Sequence, residues 1–204
     1  MQLKSKLSAI KFFAVVAATL MFVPGGAWAA SQYKVLYAFK SGNDGNYPSG
    51  ALVFDSAGNL YGTTVMGGGN QQFCAGLANG CGTAFMLTHG SSGGWTESVL
   101  HQFQGNDSSD GASPNGALIF DSAGNLYGTT NSGGGEDEQC SSGAFAGCGT
   151  VFELTPQPSG SWTETVIYRF QINAGGAGPY AGLSLTRREI FTEPQRPQPS
   201  VAPR

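Results

Sequence analysis

The sequence predicts an all-β fold of tandem four-stranded antiparallel blades, an incomplete β-propeller of about two blades plus the start of a third. Three observations carry this. A long motif occurs twice at a fixed spacing. Short runs of Val, Ile, Leu, Phe, Tyr and Trp are separated by turn residues, and the chain holds 32 glycines among 204 residues. Only 11% of residues are charged, and the glycines sit between regular apolar runs, which argues against disorder.

The repeat comes first. Gly50 to Thr64 reads Gly-Ala-Leu-Val-Phe-Asp-Ser-Ala-Gly-Asn-Leu-Tyr-Gly-Thr-Thr, and Gly116 to Thr130 repeats it with Ile119 in place of Val53. Cys81-Gly-Thr-Ala-Phe-Met-Leu-Thr88 returns as Cys148-Gly-Thr-Val-Phe-Glu-Leu-Thr155, and Trp95-Thr-Glu-Ser-Val-Leu100 returns as Trp162-Thr-Glu-Thr-Val-Ile167. The units span about residues 50–115 and 116–182 within a repeat region of 31–185.

Each unit reads as four strands. In the first unit, strand one is Ala51 to Phe54 and strand two is Leu60 to Thr64. A five-residue turn, Asp55 to Asn59, joins them. Asp caps backbone N–H groups two residues on, and Gly58 tolerates the left-handed backbone of a tight hairpin. The same stretch is similar to a calcium loop but lacks the closely spaced acids and distal Glu of an EF-hand, so it reads as a structural turn. A long glycine-rich loop with two cysteines leads to strand three, Thr83 to Thr88. A turn at Gly90 to Gly94 leads to strand four, Trp95 to Phe103, where Trp95, Glu97 and Val99 share one face and Thr96, Ser98 and Leu100 the other. Four strands per unit in tandem is the propeller pattern; a two-sheet sandwich or a β-solenoid is the competing arrangement.

These residues resemble the Gloeo/Verruco tandem repeat of exported bacterial proteins. Asp-Ser-Ala-Gly-Asn-Leu-Tyr-Gly-Thr-Thr, a glycine loop, and Gly-Thr-Val-Phe-Glu-Leu form its signature, and the resemblance covers about Tyr33 to Leu185. It implies an extracellular or surface location, often with a C-terminal sorting anchor, and no known activity. The Gly-Asn-Leu-Tyr strand also resembles NHL-type and lactonase-type propeller blades. No catalytic motif accompanies it, so no catalytic residue is carried over.

The N-terminus reads as a secretory signal over residues 1–30. Lys4, Lys6 and Lys11 precede or interrupt an apolar run from Ile10 to Val23, and Ala27-Trp-Ala29 supplies small residues for cleavage after Ala29 or Ala30. No membrane span is expected after cleavage. The expected location is therefore secreted, extracellular or periplasmic, with surface anchoring open for a longer protein. From Ser31 to Leu185 three basic residues face eleven acidic ones, a formal charge of −8 that disfavours nucleic acid and anionic lipid.

An oxidising compartment makes the cysteines a disulfide framework. Four cysteines allow three pairings. Cys74 and Cys81 share one loop, and Cys140 and Cys148 the equivalent loop, so Cys74–Cys81 and Cys140–Cys148 are predicted. Each short closure stabilises by roughly 2 to 3 kcal/mol in the chain-entropy picture.

Antiparallel strand direction puts the loop leading into strand one and the loop after strand two at one end. Those are the long loops, so a ligand face belongs there. Asp110 and the acidic run Glu136, Asp137 and Glu138 lie in them. Asp44 and Asp107 recur as Gly-Asn-Asp in both lead-in loops and are the better shared candidates. No cofactor and no metal site are expected: there is no Cys-x-x-Cys, and His89 and His101 have no histidine counterpart, Pro156 and Tyr168 standing in their places. Both histidines read as surface and sheet residues. Gly90-Ser-Ser-Gly-Gly94 has the Gly-x-Ser-x-Gly spacing but lies in the turn before strand four, so it is no nucleophile elbow, and no phosphate loop is present.

A third unit begins at Ala174 to Leu185, but Thr186 stands where the turn Asp belongs. One allowed codon choice for 186–195 is ACG CGG CGG GAA ATC TTT ACG GAA CCA CAG. Read from a G ending the Leu185 codon, it becomes GAC GCG GCG GGA AAT CTT TAC GGA ACC ACA, which encodes Asp-Ala-Ala-Gly-Asn-Leu-Tyr-Gly-Thr-Thr. The reading is a one-base deletion that makes 186–204 a frameshifted, disordered tail rich in proline (Pro194, Pro197, Pro199, Pro203).

The expected function is therefore a non-enzymatic exported binding or surface-interaction module, with a glycan or an envelope protein as partner. The alternatives are a fragment of a lactonase- or lyase-type propeller enzyme, or a non-functional truncated product. Open sheet edges would favour self-association.

Overall fold

A computed structural model describes residues 34–69, 74, 80–105, 110–135, 140, 147–172 and 176–186. Residues 1–30, expected to be a signal segment, the tail after Thr186, Asp107, and Glu136, Asp137 and Glu138 lie outside the described residues. Contacts divide the chain into two units, 1–35 and 36–204. Of the first, only Lys34 and Val35 are described, and both are exposed. The second holds every strand among the described residues.

All regular structure among the described residues is β-strand, in two antiparallel sheets with the same plan. The first contains β1 (Asn46–Pro48), β2 (Val53–Phe54), β3 (Leu60–Met66), β4 (Thr83–His89) and β5 (Trp95–Gln102). The second contains β6 (Gly111–Pro114), β7 (Ile119–Phe120), β8 (Leu126–Gly133), β9 (Thr150–Pro156) and β10 (Trp162–Arg169). In each, two short pieces share one long partner: β1 and β2 both pair with β3, and β6 and β7 with β8. The order then runs β3-β4-β5 and β8-β9-β10.

The first strand of each sheet differs from the sequence expectation, which begins it at Ala51 and treats Gln104 to Asn115 as loop. Gly111–Pro114 and Asn46–Pro48 are strands. Gly, Asn, Ser and Pro disguise them, but the ends of β3 and β8 need backbone partners and override local preference. Between the two pieces the first strand bends at Gly50. A Cβ there would lie 2.7 Å from the Gly116 carbonyl oxygen, so the first strands of neighbouring units approach closely only because this residue is glycine.

The turns follow their chemistry. Asp55 N donates to Asn59 O and Gly58 N to Asp55 O, with Gly58 at φ 83°; Asp121 to Asn125 repeats this with Gly124 at φ 90°. Asp55 Oδ1 accepts from Ala57 N and Asn59 N at 2.9 Å each, and Oδ2 from Asn59 Nδ2 at 2.7 Å and Tyr61 Oη at 3.0 Å. This carboxylate is fully occupied by the turn. Burial opposes ionisation, but these hydrogen bonds outweigh it and hold Asp55 below the usual carboxylate range.

A bulge in β5 and β10 decides what faces what. Val99 pairs with Phe85 and His101 with Ala84, leaving Leu100 as the extra residue; Val166, Ile167 and Tyr168 repeat it. Before the bulge, Trp95, Glu97 and Val99 share a face with Phe85 and Leu87. After it, His101 joins the opposite face with Ala84 and Met86, turned toward the second sheet.

The two sheets meet across a seam of buried apolar side chains. Phe103 and Phe152, both at most 1% exposed, pack edge to face with centroids 5.0 Å apart. Tyr61 packs on Phe120 at 5.0 Å and on Trp162 at 6.2 Å. Polar groups register the units: Ser113 N donates to Cys81 O at 2.8 Å, and Thr63 Oγ1 donates to Gly116 O at 3.5 Å. The start of the third unit docks the same way. Gly178 N donates to Cys148 O at 2.8 Å, and Thr129 Oγ1 to Ala181 O at 3.1 Å. Tyr47, Ser113 and Gly178 occupy equivalent left-handed positions at φ 56°, 55° and 62°.

Candidate functional site

One end of the sheets gathers the long segments. Gly68 N donates to Gly42 O and Gly134 N to Asp110 O, both at 2.7 Å, tying each lead-in segment to the glycine loop that follows the second long strand. Disulfides Cys74–Cys81 and Cys140–Cys148 close these loops, with Cα–Cα distances of 5.4 and 5.2 Å. Parallel bridges pair Gly67 with Cys81 and Gly133 with Cys148. Beneath them, hydroxyls of Thr64 and Thr83 meet at 2.8 Å, as do those of Thr130 and Thr150, all fully buried. Among the described residues, the opposite end carries only the Asp55 and Asp121 turns and the tight turns at Gly90–Gly94 and Gln157–Ser161.

A cleft of about 370 Å³ opens at the long-loop end of the second sheet, lined by Gly134, Gly135, Gly147, Cys148, Arg169, Phe170 and Gln171. Backbone groups, an aromatic ring, a guanidinium and an amide converge there.

The acids of the lead-in segments are structural anchors as well as candidates. Asp44 Oδ2 accepts from Lys40 N at 2.9 Å and Tyr37 Oη at 3.1 Å. Asp110, 7% exposed, accepts from Gln104 N at 3.0 Å and Gly111 N at 2.6 Å, and its Oδ2 lies 3.1 Å from His101 Nε2. The structural counterpart of Asp44 is therefore Asp110. The Gly-Asn-Asp match to Asp107 aligns the wrong residue, because the second lead-in segment is two residues longer: Lys40 to Asp44 spans four positions and Gln104 to Asp110 six. Asp107, Glu136, Asp137 and Glu138 fall outside the described residues.

Glu164, which the sequence alone does not single out, and His101, which reads there as a surface or sheet residue, complete this region. Glu164, on β10, reaches the His101–Asp110 pair: the ligand atoms of His101, Asp110 and Glu164 all lie within 4.8 Å of one another. Glu164 Oε1 is buried without a hydrogen-bond partner. Burial, then the charge of Asp110, pushes the Glu164 carboxyl up to about 7, against the opposing pull of His101 and Arg169. His101 is a seam residue, not a bystander on the sheet surface. His89 does lie exposed at a hairpin end, edge-on to Trp95 at 5.1 Å.

A model of the Gloeobacter/Verrucomicrobia repeat matches residues 29–191. The chain belongs to this repeat family. No curated protein and no solved structure matches it. Two disulfides fit an oxidising compartment, and among the described residues no helix is long and apolar enough to cross a membrane. In this member of the family, the polar, stapled loops concentrate at one end of both sheets.

Proposed function

We propose that this repeat protein is an exported, non-enzymatic binding module whose two sheets are adjacent blades of a propeller-like assembly, and that its ligand is a glycan of the cell envelope or surroundings. The observation that carries the reading is the pairing of each lead-in segment with a disulfide-closed glycine loop at one end of both sheets. Such rigidified loops lower the ordering cost of binding. The cleft there offers Phe170 for stacking on a sugar face, with Arg169, Gln171 and backbone amides for hydroxyls. A surplus of acid disfavours nucleic acid and anionic lipid as ligands.

The test is a glycan array probed with the secreted protein. Binding to a defined set of glycans, weakened at least tenfold by Phe170→Ala, supports the reading. Absence of binding across the array, or binding unchanged in that variant, overturns it.

A further inference from the structure

We propose that His101, Asp110 and Glu164 form a divalent metal site of the zinc type that staples the two repeat units together. The three ligands come from three separate elements: β5, the lead-in segment, and β10. His101 stands near the end of the last strand of the first sheet, Asp110 just before the first strand of the second, and Glu164 on the far strand of the second, so an ion there closes the seam.

The spacing suits a small ion. His101 Nε2 and Asp110 Oδ2 are 3.1 Å apart, and the third ligand lies within 4.8 Å of both. Ligands about 2.0–2.2 Å from a tetrahedral zinc stand roughly 3.4 Å from one another. Small side-chain rotations bring Glu164 to that distance. One imidazole and two carboxylates favour zinc or its transition-metal neighbours over calcium or magnesium, which prefer oxygen alone.

The surroundings are those of a metal site. Asp110 is buried and held by backbone N–H groups of Gln104 and Gly111, which fix its orientation from outside. Glu164 Oε1 is buried and accepts no hydrogen bond, and a cation supplies the missing partner.

The molecule contains its own control. At the equivalent place before the first sheet, Tyr37, Asp44 and Glu97 stand where His101, Asp110 and Glu164 stand at the seam. Glu97 Oε1 is likewise buried without a partner. A neutral phenol replaces the imidazole there, so that site lacks the nitrogen ligand.

The experiment uses the secreted chain, stripped with a chelator, and titrated with zinc chloride by calorimetry, followed by thermal melts. One zinc equivalent is expected. At a hundredfold excess over the dissociation constant the melting temperature rises by roughly 5–10 °C. His101→Gln and Glu164→Gln abolish both the heat and the shift while retaining the β-sheet circular dichroism of the parent. Absence of zinc binding to the unmutated protein overturns the proposal whatever the variants do. So does a thermal shift of full size in both variants. Should a variant not fold, nickel or cobalt spectra of the unmutated protein decide: imidazole ligation supports the site, and purely oxygen ligation refutes it.

Discussion

Two junctions of the molecule, before the first sheet and between the sheets, follow one plan and are finished with different residues. Before the first sheet, Tyr37 donates its hydroxyl to Asp44, Phe39 packs edge-on to Phe85 at 4.9 Å, and Glu97 stands nearby. Between the sheets, His101 pairs with Asp110, Phe103 packs edge-on to Phe152 at 5.0 Å, and Glu164 stands nearby. The backbone route, the aromatic wedge and the acid are shared. The exchange of a phenol for an imidazole changes the chemistry from a neutral donor on a carboxylate to an ionisable, ligating pair. Here the two junctions share their stacking, while the character of each rests on one side chain, Tyr37 or His101.

The largest expected difference is in packing. Phe103 is 1% exposed and touches Phe152 and His101, whereas Phe39 is only half-buried. Phe103→Ala is predicted to cost about 3–5 kcal/mol, and Phe39→Ala less than half of that, by chemical denaturation. Equal losses would break the distinction between an enclosed and an open junction.

Next come the disulfides, which test likeness rather than difference. Replacing both cysteines of either pair by serine is expected to cost roughly 2–3 kcal/mol, nearly equal for the two loops because the closures span 7 and 8 residues. A loss confined to one pair would show that the loops are not equivalent.

The turn carboxylate is worth less. Asp55→Ala removes four hydrogen bonds and is expected to cost about 1–2 kcal/mol. It also removes the charge that, after burial itself, pushes the Tyr61 phenol up to about 12, so the tyrosine titration should move back toward its ordinary range.

The last contrast is in pH dependence. Burial, then the charge of Asp44, pushes the Glu97 carboxyl from 4.5 up to about 7. The folded chain thus holds this proton more tightly than the unfolded one. Its contribution to stability is full below 4.5 and is lost as pH rises through about 7. The groups facing it are Asp44 and Tyr37. Glu97→Gln should flatten the stability profile between those limits, measured by melts at several pH values. An unchanged slope would assign it to other groups.

Much of the fold is legible in the sequence because much of it is local. The Asp55 and Gly58 turn, the alternation of Trp95, Glu97 and Val99, and the cysteine pairs all act within a few residues of one another. The first strands β1 and β6 are not legible, since their Gly, Asn and Pro content signals loop and only pairing with β3 and β8 makes them strands. The seam cluster is hidden for two reasons. The bulge at Leu100 turns His101 to the face opposite Glu97, which plain alternation does not foresee. The offsets also slip: Tyr37 to His101 is 64 residues, Asp44 to Asp110 is 66, and Glu97 to Glu164 is 67. A single fixed spacing therefore cannot align the three members of the cluster, and short motif likeness draws Asp44 to Asp107.

The central claim is that the two repeat units stack face to face through this seam. The most direct measurement is a double-mutant cycle between Phe103→Leu and Phe152→Leu, read by equilibrium unfolding. The two rings lie in different units and touch edge to face. A coupling of about 0.5–1.5 kcal/mol is predicted, the value of an aromatic pair beyond its buried area. Strict additivity of the two losses would mean that the sheets do not meet there, and the stacked arrangement would be wrong.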